Sequence, residues 1–425
     1  MVTSLLSDGL EYAAYTMVYA TKNPCSRMPQ APRTMPKSAR RYFPNQLVYS
    51  VASSIYAESP VDTCNAGVTI GRLKNSLFTQ CINPSYLPIT KKGKHTMISR
   101  EIHLTSRPTG LPTADNFAIV DNEIGEPSTG EIVIHNHFMS VDPYMRGRMA
   151  QAWPIGEVMI GGAVGKVTAS KNPAFEVGDY VTHGLGWREY AVTNGEGVSK
   201  IDPNLAPLSS YLGVMGMPGL TAFGGLLVTG EYKPGETVFV SAASGAVGSI
   251  VGQIAKIHGS TVIGSAGSDE KVNALMDEFG FDHAFNYKTA NALEELRKAA
   301  PKGIDIYFEN VGGPQLEAAL THLRPYGRIP ICGMISTYND GATQTPGPRN
   351  LTETIYKHIT MKGFVVTDFF DQQPKFLKEM SGWIESGDVK YQETIFDGIE
   401  KAVTAFEGLF QGANNGKMLV KLVTE

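Results

Sequence analysis

The sequence predicts an α/β chain, a β-rich segment followed by a doubly wound parallel sheet, and three observations predict it. A short apolar strand at residues 237–241 runs into the small-residue turn Ala242-Ala-Ser-Gly245-Ala-Val-Gly248 and then into a helix. From Glu236 onward, strand and helix patterns alternate, as parallel strands joined by crossover helices require. Upstream of that point the strands are short, alternating and bounded by Gly and Pro, as in an irregular barrel.

The elements follow in order. The chain has 425 residues, enough for two domains and a small extra segment. Residues 1–96 differ in texture from the rest: they hold 11 Lys/Arg against 4 Asp/Glu, and the remaining residues 26 against 37. Pro24, Pro29, Pro32 and Pro36 break any periodicity there, and no apolar run precedes a small-residue cleavage site. The acid-free basic stretch 33–41 suits a mitochondrial transit peptide, but Asp8 and Glu11 oppose one. The expectation is a disordered extension, or a true start at Met97. After Met97, strands are expected at 131–136, 165–169, 178–182 and 189–193, and the pattern turns helical near 218–223. In the sheet region, strands are expected at 237–241, 261–265, 304–309, 328–332 and 360–366. Helices are expected at 247–257, 269–279, 290–300 and 314–323. Amphipathic stretches at 374–386 and 399–412 and a last strand at 417–423 exceed what one sheet needs, so they are assigned back to the first domain. The expected organisation is therefore an extension, 1–96, a substrate domain, 97–223 with 367–425, and an inserted cofactor domain, 224–366.

Composition narrows the function. A formal net charge of −4 gives no reason to expect nucleic acid, and no run of about 18 apolar residues is present to cross a membrane. Cys25, Cys64 and Cys81 precede residue 97, and Cys332 alone follows it. One cysteine in the body cannot close an internal disulfide, which suits a reducing cytoplasmic location.

The turn after the first sheet strand is an anion site, because free backbone N–H groups and the positive end of a helix dipole point at its occupant. In an α/β chain that occupant is usually the pyrophosphate of a dinucleotide. Ala243-x-Gly245-x-x-Gly248 has alanine where the dinucleotide fingerprint has its first glycine. The second strand bears on the choice of cofactor. Asp269 stands at the distance at which an NAD site places its ribose-binding acid. Ser268, however, reads as an N-cap, with Asp269 and Glu270 as first-turn acids. Lys271 would then offer charge to a 2′-phosphate and Tyr287 a second donor, so both cofactors stay open at this level. Three loops at strand ends, 309–313, 332–336 and 363–366, fall where such sheets bind ligands. His135 and His137 share a strand face without a third ligand, and no Cys cluster exists for a structural zinc, so no metal is expected.

Together the motifs resemble a known family. They are Arg107–Phe117, Ser140–Met149 around Val-Asp-Pro-Tyr144-Met-Arg146, and Gly213–Phe223. Further along come Ala242–Gly248, Gly267–Lys271, Glu309-Asn-Val-Gly-Gly313, Ile331-Cys-Gly-Met-Ile-Ser-Thr-Tyr338-Asn339 and Asn414-Asn-Gly-Lys417. From about residue 100 to the end the chain is similar to the zinc-independent medium-chain dehydrogenase/reductases, in particular the NADPH-dependent alkenal/one double-bond reductases. The resemblance implies a GroES-like catalytic domain with an inserted Rossmann domain. It implies metal-independent reduction of the C=C bond of α,β-unsaturated ketones and aldehydes by hydride from NADPH. The stretch Ile160-Gly-Gly-Ala-Val-Gly165 lacks the Gly-His-Glu of zinc-dependent relatives. The rival readings are a quinone oxidoreductase of the same superfamily and a cofactor-binding protein without turnover.

The resemblance also implies residue roles. Gly245, Ala246, Val247 and Gly248 would meet the pyrophosphate, and Lys271 and Tyr287 the 2′-phosphate. Asn310, Cys332, Gly333, Met334, Ile335, Ser336, Thr337, Tyr338, Phe364, Val365, Val366 and Asn415 would line the ribose and nicotinamide. Met217 and Thr221 would sit near the carboxamide. Tyr338 would stabilise the enolate or deliver its proton, and Tyr144 would line the substrate pocket. Asp142 and Arg146 are expected to be a structural pair, and a homodimer is implied.

Overall fold

A computed structural model describes residues 97–340 and 345–423, so the expectations for 1–96 lie outside the described residues. The β-rich part opens with an antiparallel hairpin, β1 (Met97–Leu104) and β2 (Phe117–Ile124). Neither strand is visible in the periodicity, because β1 buries Ser99 and Glu101 beside Ile102 and Leu104. Next come β3 (Ile132–Ser140), helix α1 (Tyr144–Gln151), β4 (Ala163–Ser170), β5 (Tyr180–His183), β6 (Tyr190–Thr193) and β7 (Ser199–Lys200). Helix α2 (Met217–Gly224) then leads, through a π-helical turn at Gly225–Thr229, into the parallel sheet. Gly224 and Gly225 make that passage possible. A Cβ at either would fall within 2.5 Å of the Phe369 or Phe364 ring, so two aromatic rings pack directly on helix backbone.

The parallel sheet contains β8 (Thr237–Val240), β9 (Thr261–Ala266), β10 (His283–Asn286), β11 (Ile304–Phe308), β12 (Leu323–Ile331) and β13 (Thr360–Gly363). Its helices are α3 (Gly248–Ile257), α4 (Asp269–Asp277), α5 (Ala292–Ala299), α6 (Gly313–His322) and the short α7 (Glu353–Tyr356). The strand order β10-β9-β8-β11-β12-β13 is the doubly wound Rossmann order, with its switch point between β8 and β11. Ile250, Val251 and Ile254 of α3 are buried against Val238 and Val240, each such side chain stabilising by roughly 1.5–3 kcal/mol. That packing fixes where the helix N-terminus stands over the sheet. The strand expected at 360–366 stops at Gly363, because Phe364 leaves the sheet to lie against Phe308 and Gly225.

Helix α8 (Gln373–Ser386), β14 (Glu393–Asp397), α9 (Ala402–Gln411) and β15 (Lys417–Lys421) complete the chain. β14 and β15 join β3, β4, β5 and β7 in one sheet, with β6 on the side of β3. In the tail, Phe376 and Met380 of α8 share one core with Leu220 and Phe223 of α2 and with Val240 and Phe308 of the parallel sheet, the Phe223 and Phe376 rings standing 5.8 Å apart, while β14 and β15 pair into the sheet of β3. Periodicity identifies a buried helix face, but not the surface that buries it. No helix among the described residues is long and apolar enough to cross a membrane.

Candidate active site

The turn between β8 and α3 is built by exchange of space across the sheet. Ala242 carries a positive φ of 48°, a left-handed conformation that costs a non-glycine residue about 1–2 kcal/mol. Ala243 donates its N–H to Ser265 O on β9 at 2.9 Å. Its methyl group fills space left by Gly264, where a Cβ would lie 2.9 Å from that of Ala243. Gly248 is indispensable in a different way: a Cβ there would sit 2.5 Å from Ala242 O and 2.8 Å from Ala243 Cα, both backbone atoms. Gly245 bridges to Gly416 in parallel register, so the Ala246 N–H faces the tail; among the described residues no acceptor engages the N–H groups of Val247 and Gly248, which leaves two donors at the N-terminus of a ten-residue helix. The tail crosses this turn: Gly416 donates its N–H to Ser244 O at 2.9 Å, and Asn415 beside it is exposed.

At the end of β9, Ser268 caps α4 by accepting from Lys271 N. Lys271 is half-buried and its Nζ donates to Gly412 O at 2.8 Å. Burial, and then the charge of Lys288, lowers its pKa. Tyr287 stands close by, since a Cβ at Gly267 would meet its Oη at 3.2 Å and Lys288 Cε at 3.4 Å. Asp269, the acid that kept NAD open, accepts from Asn286 Nδ2 at 2.8 Å. Lys288, absent from the expected site, follows Tyr287 directly in the sequence and is thereby carried into the same corner.

The loops after β11 and β12 close the other end. Asn310 ties them to the turn, donating its N–H to Ser241 Oγ at 2.9 Å and its Nδ2 to Ser241 O at 2.7 Å. Glu309, also outside the expected site, is a buried carboxylate at the end of β11. Its Oε1 accepts from Val311 N (2.6 Å), Gly312 N (2.8 Å), Tyr307 Oη (2.7 Å) and Ser241 Oγ (3.2 Å). Its Oε2 has no partner among the described residues. Burial raises its pKa, while the N–H groups of Gly312 and Val311 act in the opposite sense. Its sequence signals are an acid ending an apolar strand and its place at the head of the 309–313 loop.

Cys332 lies over this carboxylate, its N–H bonded to Glu309 O at 2.9 Å. Burial, and secondly Glu309, pushes its thiol up to about 12. Met334 and Ser336 lie over Gly312, whose positive φ of 81° and lack of a Cβ allow the approach. Thr337 Oγ1 donates to Met334 O at 2.9 Å, and Ile335 N to Asn310 O at 3.1 Å. The Tyr338 ring folds back over Gly333, and its Oη accepts from Met334 N at 3.3 Å. No acceptor among the described residues takes the phenol proton, and burial is the main cause raising the Tyr338 pKa. Phe364 is half-buried and Val366 partly so, while Val365 is exposed.

From the β-rich side come α1 and α2. Tyr144 opens α1 with the Arg148 guanidinium 5.2 Å from its ring centre, and burial with Asp142 raises its pKa. Asp142 and Arg146 do not pair with each other. Asp142 pairs with the buried Lys417 at 3.3 Å, whereas Arg146 holds Gly110 O (2.9 Å) and Asn339 Oδ1 (3.1 Å). The two side chains leave the α1 region in different directions, so Arg146 fastens the residue after Tyr338 to the β-rich domain. Thr221 is buried, with Oγ1 donating to Met217 O at 2.7 Å.

A phosphorylated dinucleotide fits these residues. Two free N–H groups and a glycine that admits close backbone approach stand at the switch point, two lysines and a phenol at one end, and an uncommitted phenol proton at the other. Among the described residues no group of three or more His, Cys, Asp or Glu is disposed to hold a metal. His135 stacks on Tyr190 with ring centres 4.2 Å apart, and His137 meets Tyr180 edge-on.

Comparison with known proteins agrees with this arrangement. A family model described as the N-terminal domain of oxidoreductase matches residues 100–201, and one described as zinc-binding dehydrogenase matches residues 246–383. Prostaglandin reductase 1 of Rattus norvegicus is 45% identical over 317 residues, covering 73% of this chain and 95% of its own. The NADP(+)-dependent 2-alkenal reductase of Nicotiana tabacum is 44% identical over 339 residues, covering 77% and 98%. The crystal structure of CurA from Vibrio vulnificus in complex with NADPH superposes with a TM-score of 0.73 at 43% identity, covering 77% of this chain and all of that one.

Proposed function

This chain belongs to the zinc-independent medium-chain dehydrogenase/reductases, in their NADPH-dependent alkenal and enone reductase group, and from that premise we propose how its own residues divide the work. The protein is an NADP-dependent 2-alkenal/2-enone reductase that reduces the C=C bond of α,β-unsaturated aldehydes and ketones. NADPH, when bound, supplies the hydride that reaches the β-carbon.

The N–H groups of Val247 and Gly248 take the pyrophosphate, where they are favoured by the dipole of α3. Lys271 and Tyr287 take the 2′-phosphate. Asn310, the loop from Cys332 to Tyr338, Phe364 to Val366, Asn415, Met217 and Thr221 form the walls of the nicotinamide and ribose compartment. Tyr338 stabilises the enolate oxygen, and one observation carries this assignment: its oxygen already accepts from Met334 N, which leaves its own proton free to donate outward. A phenol whose pKa is raised stays protonated at neutral pH, so it acts as a donor without tuning. Arg146 keeps the Tyr338 loop in place through Asn339, and Tyr144 borders the substrate.

NADPH consumption across a panel of enones, enals and quinones tests this reading. Turnover of enones and enals with saturated carbonyl products is expected; turnover of quinones alone would overturn it.

The same reading includes a homodimer. One side of β13 is a sheet edge, and Tyr326, Ile355 and Tyr356 beside it are exposed apolar side chains, the composition of an interface rather than of open surface. Light scattering on the Tyr356→Asp variant is expected to show monomers where the parent shows dimers. A cytoplasmic location completes the reading, and fractionation of the native protein tests it.

A further inference from the structure

The corner formed by Gly267, Lys271, Asn286, Tyr287 and Lys288 holds more than the assignment of Lys271 requires. Lys288 Cε and Tyr287 Oη both approach the open face of Gly267, at 3.4 and 3.2 Å from where a Cβ would stand. The charge of Lys288 reaches Lys271 strongly enough to be felt in its titration. Lys288 Nζ has neither a hydrogen bond nor an ion pair among the described residues, and Lys271 Nζ has only the carbonyl of Gly412. Two ammonium groups repelling one another, with no acid between them, favour an anion at that point. Asp269 opens the same helical turn as Lys271, and Asn286 Nδ2 holds its Oδ1 at 2.8 Å. Asn286 Oδ1 in turn accepts from Lys288 N at 3.1 Å, so one amide both restrains the acid and fixes the backbone that carries the second lysine.

Resting on the reading of this corner as the 2′-phosphate site, we infer that Lys288 is a second specificity-determining cation for that phosphate, and that Asn286 keeps Asp269 from serving a ribose diol. Selectivity for NADPH over NADH is then a property of three residues, one in the first turn of α4 and two at the end of β10 and just beyond it. Lys271 and Lys288 attract the phosphate, and the Asn286–Asp269 bond holds the Asp269 carboxylate back from it.

Calorimetric titration with adenosine 2′,5′-bisphosphate and with 5′-AMP separates phosphate recognition from activity. Lys288→Ala is expected to weaken the bisphosphate by roughly threefold to tenfold, the range for a partly exposed charge, and to leave 5′-AMP unchanged. Lys288→Arg should restore binding. Asn286→Ala should weaken the bisphosphate and NADPH while improving NADH, because Asp269 is released. Thermal melting confirms that each variant is folded. Lys271→Ala serves as the reference. If it loses selectivity for the bisphosphate while Lys288→Ala and Asn286→Ala do not, the inference is overturned and the phosphate site stands. If Lys271→Ala loses no selectivity either, the reading of the corner fails and the inference with it.

Discussion

The two ends of the cleft solve opposite problems with the same materials, a tyrosine and a glycine loop. At the Lys271 end, Tyr287 is exposed and two lysines lie near each other without an acid between them. At the Tyr338 end, the phenol is folded onto its own loop near the buried Glu309, whose Oε1 accepts from neutral donors and not from a cation, while its Oε2 has no partner among the described residues. One end is wet and cationic, arranged to select a ligand. The other is drier and neutral, arranged to keep one proton in place. The difference teaches that affinity and chemistry are separable in this protein, and substitutions should divide accordingly.

Gly248→Val should have the largest effect, because it lies between the two ends and its Cβ meets backbone that cannot yield. NADPH affinity is expected to fall by at least about 100-fold, well beyond the loss of a single hydrogen bond, with a measurable drop in melting temperature. Retained affinity would mean that the turn does not set the cofactor's position. Tyr338→Phe comes next. Removing one donor to a developing oxyanion typically costs about 100-fold in turnover, and here kcat should fall while the NADPH Kd holds. A change in Kd with kcat preserved would reverse the proposed division of labour.

Raising the pH should separate the ends without any mutation. Burial and Lys288 lower the Lys271 pKa, whereas burial raises that of Tyr338. Above neutrality, Lys271 therefore loses its charge earlier than an ordinary lysine, and Tyr338 keeps its proton longer than an ordinary phenol. NADPH affinity should decline with rising pH before kcat at saturating cofactor does; stopped-flow binding and turnover on the same samples decide the order. The smallest effect is expected from Gly267→Ala. Its methyl group would press on Tyr287 and Lys288 side chains that can shift by a few tenths of an ångström, and NADPH should weaken by only about twofold to threefold with kcat unchanged.

Much of this arrangement was legible in the chain. The sheet strands and their helices follow from periodicity, and the doubly wound topology from their alternation, because a parallel strand buried on both faces must be apolar throughout. Lys271 and Tyr287 follow from position relative to the turn. Other parts were not legible. β1 and β2 carry polar residues that are buried or mixed, and a four-residue strand such as β10 has too little period to detect. That α8 packs on α2 depends on Gly219 and Phe376, whose close approach no local pattern reports. Asp142 and Arg146 stand four residues apart on adjoining turns, yet Lys417, far along the chain, takes the aspartate. Glu309 and Lys288 were missed because their significance lies in what they lack: a partner for one oxygen, and an acid for one ammonium.

The alanine that stands where a dinucleotide fingerprint expects glycine has a wider consequence. Its methyl group occupies the place that Gly264, on the neighbouring strand, leaves open. The smallness of Gly264 answers to two neighbours at once, the Ala243 methyl twenty-one residues earlier and the Phe281 ring, each 2.9 Å from where a Cβ would stand. A motif written along one chain segment records only part of such a constraint. Exchange, Ala243→Gly together with Gly264→Ala, should therefore recover only part of what Gly264→Ala alone loses in melting temperature, because the Phe281 ring still meets the new methyl group.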